Sequence, residues 1–169
     1  MVDLKEFEFI ELTWFAKDNW NRNFKLVFDD ELIATIKFPS IWSKKATCIT
    51  ASGTWTIKLS GVFNPELTVR RKDVKRNIIE APMQYTKPKE PIRFPSGNTY
   101  EFKKESNWKS HYSWFYDDEP VFNFKSLVTL DKRRLSVSFT KANLPEDDLS
   151  LMLLIGSYLI ITIQQNGGM

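Results

Sequence analysis

The C-terminal segment constrains the fold of this chain more than any other feature. The fifteen residues from Leu149 to Ile163 carry no charge. As an α-helix they would extend roughly 22 Å, at about 1.5 Å per residue, which is short of the about 30 Å of hydrocarbon in a bilayer. A helix that is apolar on every face must be surrounded on every face. The segment therefore predicts a helix enclosed by the rest of the protein.

The residues around this segment fit a helix. Asp147 and Asp148 precede it, where carboxylates favour the positive end of the helix dipole, and Pro145 suits a helix start. Gly167 and Gly168 are typical of a helix stop. We therefore predict a core helix over about residues 147–165.

Three residues inside the predicted helix bear on how it would be enclosed. Gly156 and Ser157 are small enough to let a wall of strands approach closely, and the hydroxyl of Tyr158 would need a partner. Two alternatives stay open at this point. Residues 149–163 could be the tail anchor of a membrane protein, or the β-branched end of the segment could belong to a pair of buried strands.

The rest of the chain alternates between polar and apolar residues, which is the period of β-strands. Two segments read as hairpins, 23–38 around Asp29–Glu31 and 45–61 around Ser52–Gly53. The short, regular spacing is typical of an antiparallel sandwich or barrel, and a closed sheet is one way to enclose the helix. Proline-rich residues 86–98 predict the longest loop. Strands are further predicted at 7–14, 66–72, 74–81, 91–94, 98–105, 111–117, 120–127 and 134–140.

Composition places the chain among ordinary globular proteins. Its 169 residues suit one domain, 1–169, with 42% hydrophobic and 27% charged residues and a net charge of +3. Cys48 is the only cysteine, so the chain forms no internal disulfide, and a reducing compartment is compatible. The acidic N-terminus lacks the basic start of a signal peptide. We therefore expect a cytoplasmic location, extending to the membrane periphery.

No motif for catalysis is found. His111 is the sole histidine and precedes a predicted strand, which favours a surface residue, and Cys48 is expected as a small buried strand residue. The acidic triplets 29–31 and 117–119 are predicted as turns rather than metal ligands. We expect a non-enzymatic protein with no cofactor and no metal. The alternative is an unrecognised enzyme that uses carboxylates such as Glu80, Glu101 or Asp117.

A basic run provides the candidate binding site. It places five positive charges within seven residues, a density that suits docking on anionic headgroups, where each basic side chain contributes about 1 kcal/mol. The alternative is a solvated hairpin tip whose charges give solubility and block edge pairing. Nucleic acid is not expected as a partner, because the run lacks interleaved aromatic residues. The candidate residues are Arg70, Arg71, Lys72, Lys75 and Arg76.

A β-rich chain that ends in one hydrophobic helix resembles the tubby C-terminal-like superfamily, which includes tubby domains, LURP-one-related proteins and phospholipid scramblases. The resemblance rests on residues 29–58, the aromatic hairpin 112–124 and, above all, 149–163. It implies a closed antiparallel barrel of about twelve strands around a central hydrophobic C-terminal α-helix, as in small stand-alone bacterial members. It also implies a binding module for anionic lipid headgroups or a protein partner. The calcium-binding and cysteine-rich features of scramblases are absent, which disfavours lipid scrambling.

Overall fold

The computed structural model describes residues 1–17, 22–106, 111–128, 133–141 and 143–165. Over these residues the chain is mostly β, with thirteen antiparallel strands in one sheet followed by a long α-helix. The elements are β1 (Leu12–Ala16), β2 (Asn23–Phe28), β3 (Glu31–Lys37), β4 (Lys45–Thr50), β5 (Gly53–Ser60), β6 (Glu66–Arg71), β7 (Asn77–Gln84), β8 (Lys87–Pro88), β9 (Ile92–Arg93), β10 (Thr99–Ser106), β11 (His111–Tyr116), β12 (Glu119–Val128), β13 (Arg133–Phe139) and α1 (Glu146–Gln165).

The strands form a nearly closed barrel. From β1 to β8 and from β9 to β13 each strand pairs with its sequence neighbour, and β1 pairs with β13 to join the two halves. The two short strands β8 and β9 are the ends of the sheet. Across this seam β7 approaches β9 and β8 approaches β10, so the sheet curls almost fully around. The predicted antiparallel barrel of about twelve strands is confirmed, with thirteen.

Helix α1 occupies the middle of the barrel. Fifteen consecutive residues, from Asp148 to Thr162, are buried, so every face of the helix is covered. The predicted core helix is therefore confirmed and begins within one residue of the predicted start, while Gly167 and Gly168 lie outside the described residues. Over the part of the chain that the structure describes, the length and hydrophobicity that a membrane span requires are not found together in any helix.

Gly156 lets the wall of strands approach the helix, as its small size predicts. A Cβ at this position would lie 2.7 Å from Cε2 of Phe124 and 3.0 Å from Nε1 of Trp114. Both aromatic residues are buried on the inner face of the sheet. The indole N–H of Trp114 donates to the backbone carbonyl of Met152 at 2.8 Å, which satisfies a polar group inside the core.

Tyr158 finds the partner that its hydroxyl requires. It donates to the backbone carbonyl of Lys44 and accepts from the backbone N–H of Leu59 at 3.0 Å. Its ring stacks on Phe38 with the centroids 5.9 Å apart. The helix thereby fixes the loop between β3 and β4, and burial raises the pKa of the Tyr158 hydroxyl.

The strand predicted from residue 7 is wrong at its start. Residues Leu4–Phe7 form a 3-10 helix, and the Asp3 side chain accepts a hydrogen bond from the backbone N–H of Lys5 at 2.9 Å. Leu4 and Phe7 are three residues apart, so one turn brings both to the buried side. Phe9 then adopts a φ of 64°, and β1 begins only at Leu12.

Two further boundaries differ from the predictions. The predicted loop 86–98 contains the short strand β8, which no prediction covers, and β9, which lies within the predicted strand 91–94. Proline is tolerated there because its missing N–H is not needed at a sheet edge. The strand predicted over 74–81 begins later, at Asn77, because the turn between β6 and β7 covers residues 72–76. Val74, Lys75 and Arg76 are therefore turn residues. Asp73 adopts a φ of 65° in this turn, which aspartate tolerates better than most residues.

We predict that removing all residues after Asp148 prevents folding. The barrel lining that α1 covers would face water, whereas removal of a separable anchor would leave a folded domain. Near-ultraviolet circular dichroism and amide chemical-shift dispersion measure the outcome. A truncated chain with native-like spectra would contradict the enclosed helix and restore the tail-anchor hypothesis.

We predict that Gly156→Val lowers the free energy of unfolding by roughly 2 kcal/mol or more, because its side chain overlaps Phe124 and Trp114. Ser157→Ala is the matched control, since Ser157 is equally buried and its hydroxyl has no hydrogen-bond partner among the described residues. The control should match or exceed the stability of the parent protein in urea unfolding. Equal stability of the valine variant would show that the helix and the wall are not in close contact.

Candidate functional site

The structure divides the predicted basic run among three environments. Successive residues of a strand point to opposite faces of the sheet. Arg70 therefore projects from the outer face of β6, whereas Arg71 turns toward the barrel end at which α1 begins. Lys72, Lys75 and Arg76 are exposed in the β6–β7 turn. The structure thus gives the five residues different surroundings.

Arg71 contributes to the structure of the barrel end. Its guanidinium lies 5.5 Å from the ring centroid of the buried Trp55 and donates to the backbone carbonyl of Ser52 at 2.8 Å. It also approaches Asp147, in the first turn of α1, at 3.5 Å. Both charged side chains are about half exposed, so this ion pair contributes little by itself. Arg71 links β5, β6 and the start of the helix.

At the same end of the barrel, a buried carboxylate joins α1 to strand β10 and the turn before it. Asp148 accepts hydrogen bonds from Tyr100 Oη at 2.5 Å, from Ser96 Oγ at 2.6 Å and from Asn98 Nδ2 at 3.3 Å. Burial and the hydrogen bond to Asp148 raise the pKa of Tyr100. Because a carboxylate in the first helical turn also interacts favourably with the helix dipole, this cluster is explained by its structural role.

The carboxylates of the enzyme alternative lie on three different segments of the sheet. Glu80 on β7 accepts from Asn77 Nδ2 at 2.8 Å, and Glu101 on β10 pairs with Lys103 at 3.1 Å. Asp117 belongs to the β11–β12 turn with a φ of 49°. Strand register places Glu101 opposite Phe115, two residues before Asp117, whereas Glu80 lies on a strand from the other half of the sheet.

The other residues considered for chemistry occupy ordinary positions. Cys48 is fully buried in β4, as predicted, and burial raises the pKa of its thiol. Asp29 and Asp30 form the β2–β3 turn with positive φ values, which confirms a predicted turn. His111 begins β11 and is partly exposed. It lines a polar depression of about 290 Å³ on the outer face, together with residues such as Glu105 and Lys125.

A second outer depression, of about 200 Å³, carries positive charge. It crosses four neighbouring strands, β4 to β7, and sheet register determines which residues meet there. Lys45 lies directly opposite Lys58, and Arg70 lies between Thr56 and Asn77. We call this surface the basic groove. Its residues are Lys45, Thr56, Lys58, Thr68, Arg70 and Asn77.

Among the described residues, Arg70 of the basic groove is linked through Asn77 to the carboxylate of Glu80, whereas the two lysines have no ion-pair partner. Within the described part of the chain, Lys45 and Lys58 form no ion pair, and like charges directly opposite each other destabilise a sheet. Arg70 is held by Asn77, whose Oδ1 accepts from Nε at 3.1 Å and from Nη2 at 3.0 Å. Three cations beside the hydroxyls of Thr56 and Thr68 form a donor set suited to a phosphate or carboxylate ligand.

Sequence reasoning identified one residue of this groove, Arg70, and missed the lysines. Lys45 and Lys58 are thirteen positions apart, so no run of charge reveals them. The predicted turn at Ser52–Gly53 would place Lys45 opposite Ser60. The turn lies one residue earlier, at Ala51–Ser52, and sets Lys45 opposite Lys58, and the alternation of both strands directs the two lysines outward. The pairing of β5 with β6, which adds Arg70, has no such local signal.

Comparison with protein-family models, with curated proteins and with solved structures gives no match. The resemblance to the tubby C-terminal-like superfamily stays a prediction.

We predict that Arg71→Ala lowers the free energy of unfolding by about 1 kcal/mol, since it removes a cation–π contact and a hydrogen bond to a carbonyl. The neighbouring Arg70→Ala is the matched control, because Arg70 is exposed on the outer face, and its cost should stay within about 0.5 kcal/mol. Urea unfolding of both variants decides the point. Equal costs would contradict the different roles assigned to the two arginines.

Proposed function

We propose that this protein is a non-enzymatic barrel that binds anionic lipid headgroups through the basic groove on its outer surface, at the periphery of a membrane. The observation that carries the proposal is the uncompensated pair Lys45 and Lys58, directly opposite each other and joined by Arg70. The same function is among those that the resemblance to the tubby superfamily implies.

The filled interior supports a role for the outer surface. Small-molecule sites in barrels use an internal cavity or its mouth. Here the fully buried side chains of α1 pack inside the sheet, and Arg71 and Asp148 tie the barrel end to the helix. A tail-anchored function would require α1 to leave this position and expose the apolar lining of the sheet.

The energetics of the groove also favour a ligand. Two lysines in direct opposition cost folding stability, roughly 0.2–1 kcal/mol by comparison with other cross-strand pairs. Functional sites commonly retain such locally unfavourable arrangements, because the bound ligand supplies the missing countercharge. An anionic headgroup at the groove would place negative charge between Lys45, Lys58 and Arg70.

Vesicle sedimentation tests the proposal. We expect the protein to bind vesicles of phosphatidylcholine mixed with phosphatidylserine more tightly than phosphatidylcholine alone. The variant Lys45→Gln/Lys58→Gln should bind the anionic vesicles about 30-fold more weakly, since each lysine contributes about 1 kcal/mol at a charged surface. Its stability should equal or exceed that of the parent, because a repulsion has been removed.

Two control variants locate the site. Lys5→Gln/Lys125→Gln removes the same charge from exposed positions outside the groove and should leave vesicle binding close to that of the parent protein. Lys75→Gln/Arg76→Gln tests the tip of the β6–β7 hairpin. An equal loss in all three variants would show that only net charge matters, and a loss confined to Lys75 and Arg76 would assign binding to the tip. Absence of anionic preference in the parent protein would refute the proposal.

A further inference from the structure

One end of the barrel exposes aromatic residues that a folded protein ordinarily buries. Trp42 is 87% exposed, Phe63 is 94% exposed and Tyr85 is 83% exposed. Ile41 and Val62, beside the first two, are also exposed. Each of these residues lies on a loop, and the core contacts that hold buried aromatics elsewhere in the chain do not reach them.

Sheet topology brings the three loops together. The connections β3–β4 (38–44), β5–β6 (61–65) and β7–β8 (85–86) follow alternate strands of one continuous antiparallel series. They therefore leave the sheet at the same end, the end at which α1 finishes. Because neighbouring strands are about 4.8 Å apart, successive loops are separated by roughly 10 Å. We call the three loops the aromatic rim.

Contacts at the base of two rim loops hold these loops in place, so their tips project into solvent and do not fold back onto the barrel. Tyr158 of α1 stacks on Phe38 and binds the carbonyl of Lys44, at the two ends of the first loop. Gly61 opens the second loop with a φ of 92°, and a Cβ there would lie 2.6 Å from the Asn64 carbonyl oxygen. This tight turn directs Val62 and Phe63 outward.

Positive charge surrounds the aromatic rim. The rim loops and the strand ends beside them, residues 37–45, 58–66 and 84–90, contain six lysines and two glutamates. Lys45 and Lys58 of the basic groove belong to this set. The turns at the opposite end are mixed in charge, with the acidic triplets 29–31 and 117–119 beside the basic β6–β7 turn. The aromatic rim thus combines exposed aromatic side chains with an excess of lysines.

We propose that the aromatic rim inserts into the interface of an anionic bilayer. Trp42, Phe63 and Tyr85 enter the boundary between headgroups and acyl chains, while Lys45 and Lys58 lie one layer above them, among the headgroups. The lysine contribution rests on the proposed function, whereas the insertion rests on the exposed aromatic residues alone.

The chemistry of the rim favours a bilayer over a rigid partner. Tryptophan and tyrosine concentrate at membrane interfaces, because their rings are apolar and carry a polar group. The aromatic residues lie on three separate loop tips, and a bilayer is fluid enough for lipids to surround each tip. Strand β3, with seven residues, places the acidic turn 29–31 roughly 20 Å from the rim, beyond the about 8–10 Å over which surface charges interact at physiological salt.

Site-specific labelling measures the insertion directly. The sole native cysteine, Cys48, is fully buried, so a thiol-reactive, polarity-sensitive fluorophore can be placed by Phe63→Cys at the rim or by Asp118→Cys at the opposite end. With vesicles of phosphatidylcholine and phosphatidylserine we expect a blue shift at position 63 and none at position 118. A shift at position 118 alone, or none at either position with protein bound, would overturn the inference.

A matched pair of variants separates this inference from the proposed function. Trp42→Ala/Phe63→Ala should weaken vesicle binding at least tenfold, because two large apolar side chains no longer enter the interface. Phe9→Ala/Val74→Ala, at exposed apolar positions of the opposite end, should bind like the parent. Because all four positions are exposed, the variants should fold with unchanged thermal midpoints.

The possible results then fall into distinct classes. Loss of binding only in the rim variant, with binding of the parent reduced by salt, supports both ideas. Charge-dependent binding that the rim variant retains leaves the proposed function and refutes the insertion. Parent protein that binds neither anionic nor neutral vesicles refutes both, and a concentration-dependent dimer that the rim variant abolishes would assign the rim to a second copy of the chain.

Discussion

The complete enclosure of one apolar helix is the constraint on which the rest of this structure depends. Helix α1 has no polar face, and burial of its residues from Asp148 to Thr162 removes a large apolar surface from water. A single sheet covers such a helix on all sides only by curling around it. The barrel is therefore a consequence of the helix, and Gly156 permits the close packing by leaving room for Phe124 and Trp114.

The same helix organises both ends of the barrel with polar contacts. At its start, Asp148 accepts hydrogen bonds from the β9–β10 turn and from Tyr100. The Ser150 hydroxyl lies 2.6 Å from that of Ser52, so the β4–β5 turn also contacts the start of the helix. Near its end, Tyr158 fixes the β3–β4 loop through Lys44 and Leu59. These contacts join strands that are distant in sequence to one central element.

An interior filled in this way leaves the outer face and the loops for recognition. The basic groove and the aromatic rim lie on the same part of the sheet, β3 to β8, and Lys45 and Lys58 of the groove are close to the rim loops. The lysines lie one layer above the exposed aromatic residues. This order is complementary to an anionic bilayer, in which charged headgroups lie above the acyl chains.

The sequence by itself determined the helix, the strands of the long hairpins and their enclosure, because these depend on local periodicity and on the absence of charge over residues 149–163. It also determined the turns at Asp29 and Asp117. Tertiary structure alone decided that β8 and β9 form the seam, since two-residue strands have no period, and that Leu4–Phe7 is a 3-10 helix. It alone separated Arg70 from Arg71 and joined Arg70 to Lys45 and Lys58. Such neighbours are set by the register between strands, which depends on the burial of whole faces and not on adjacency in the chain.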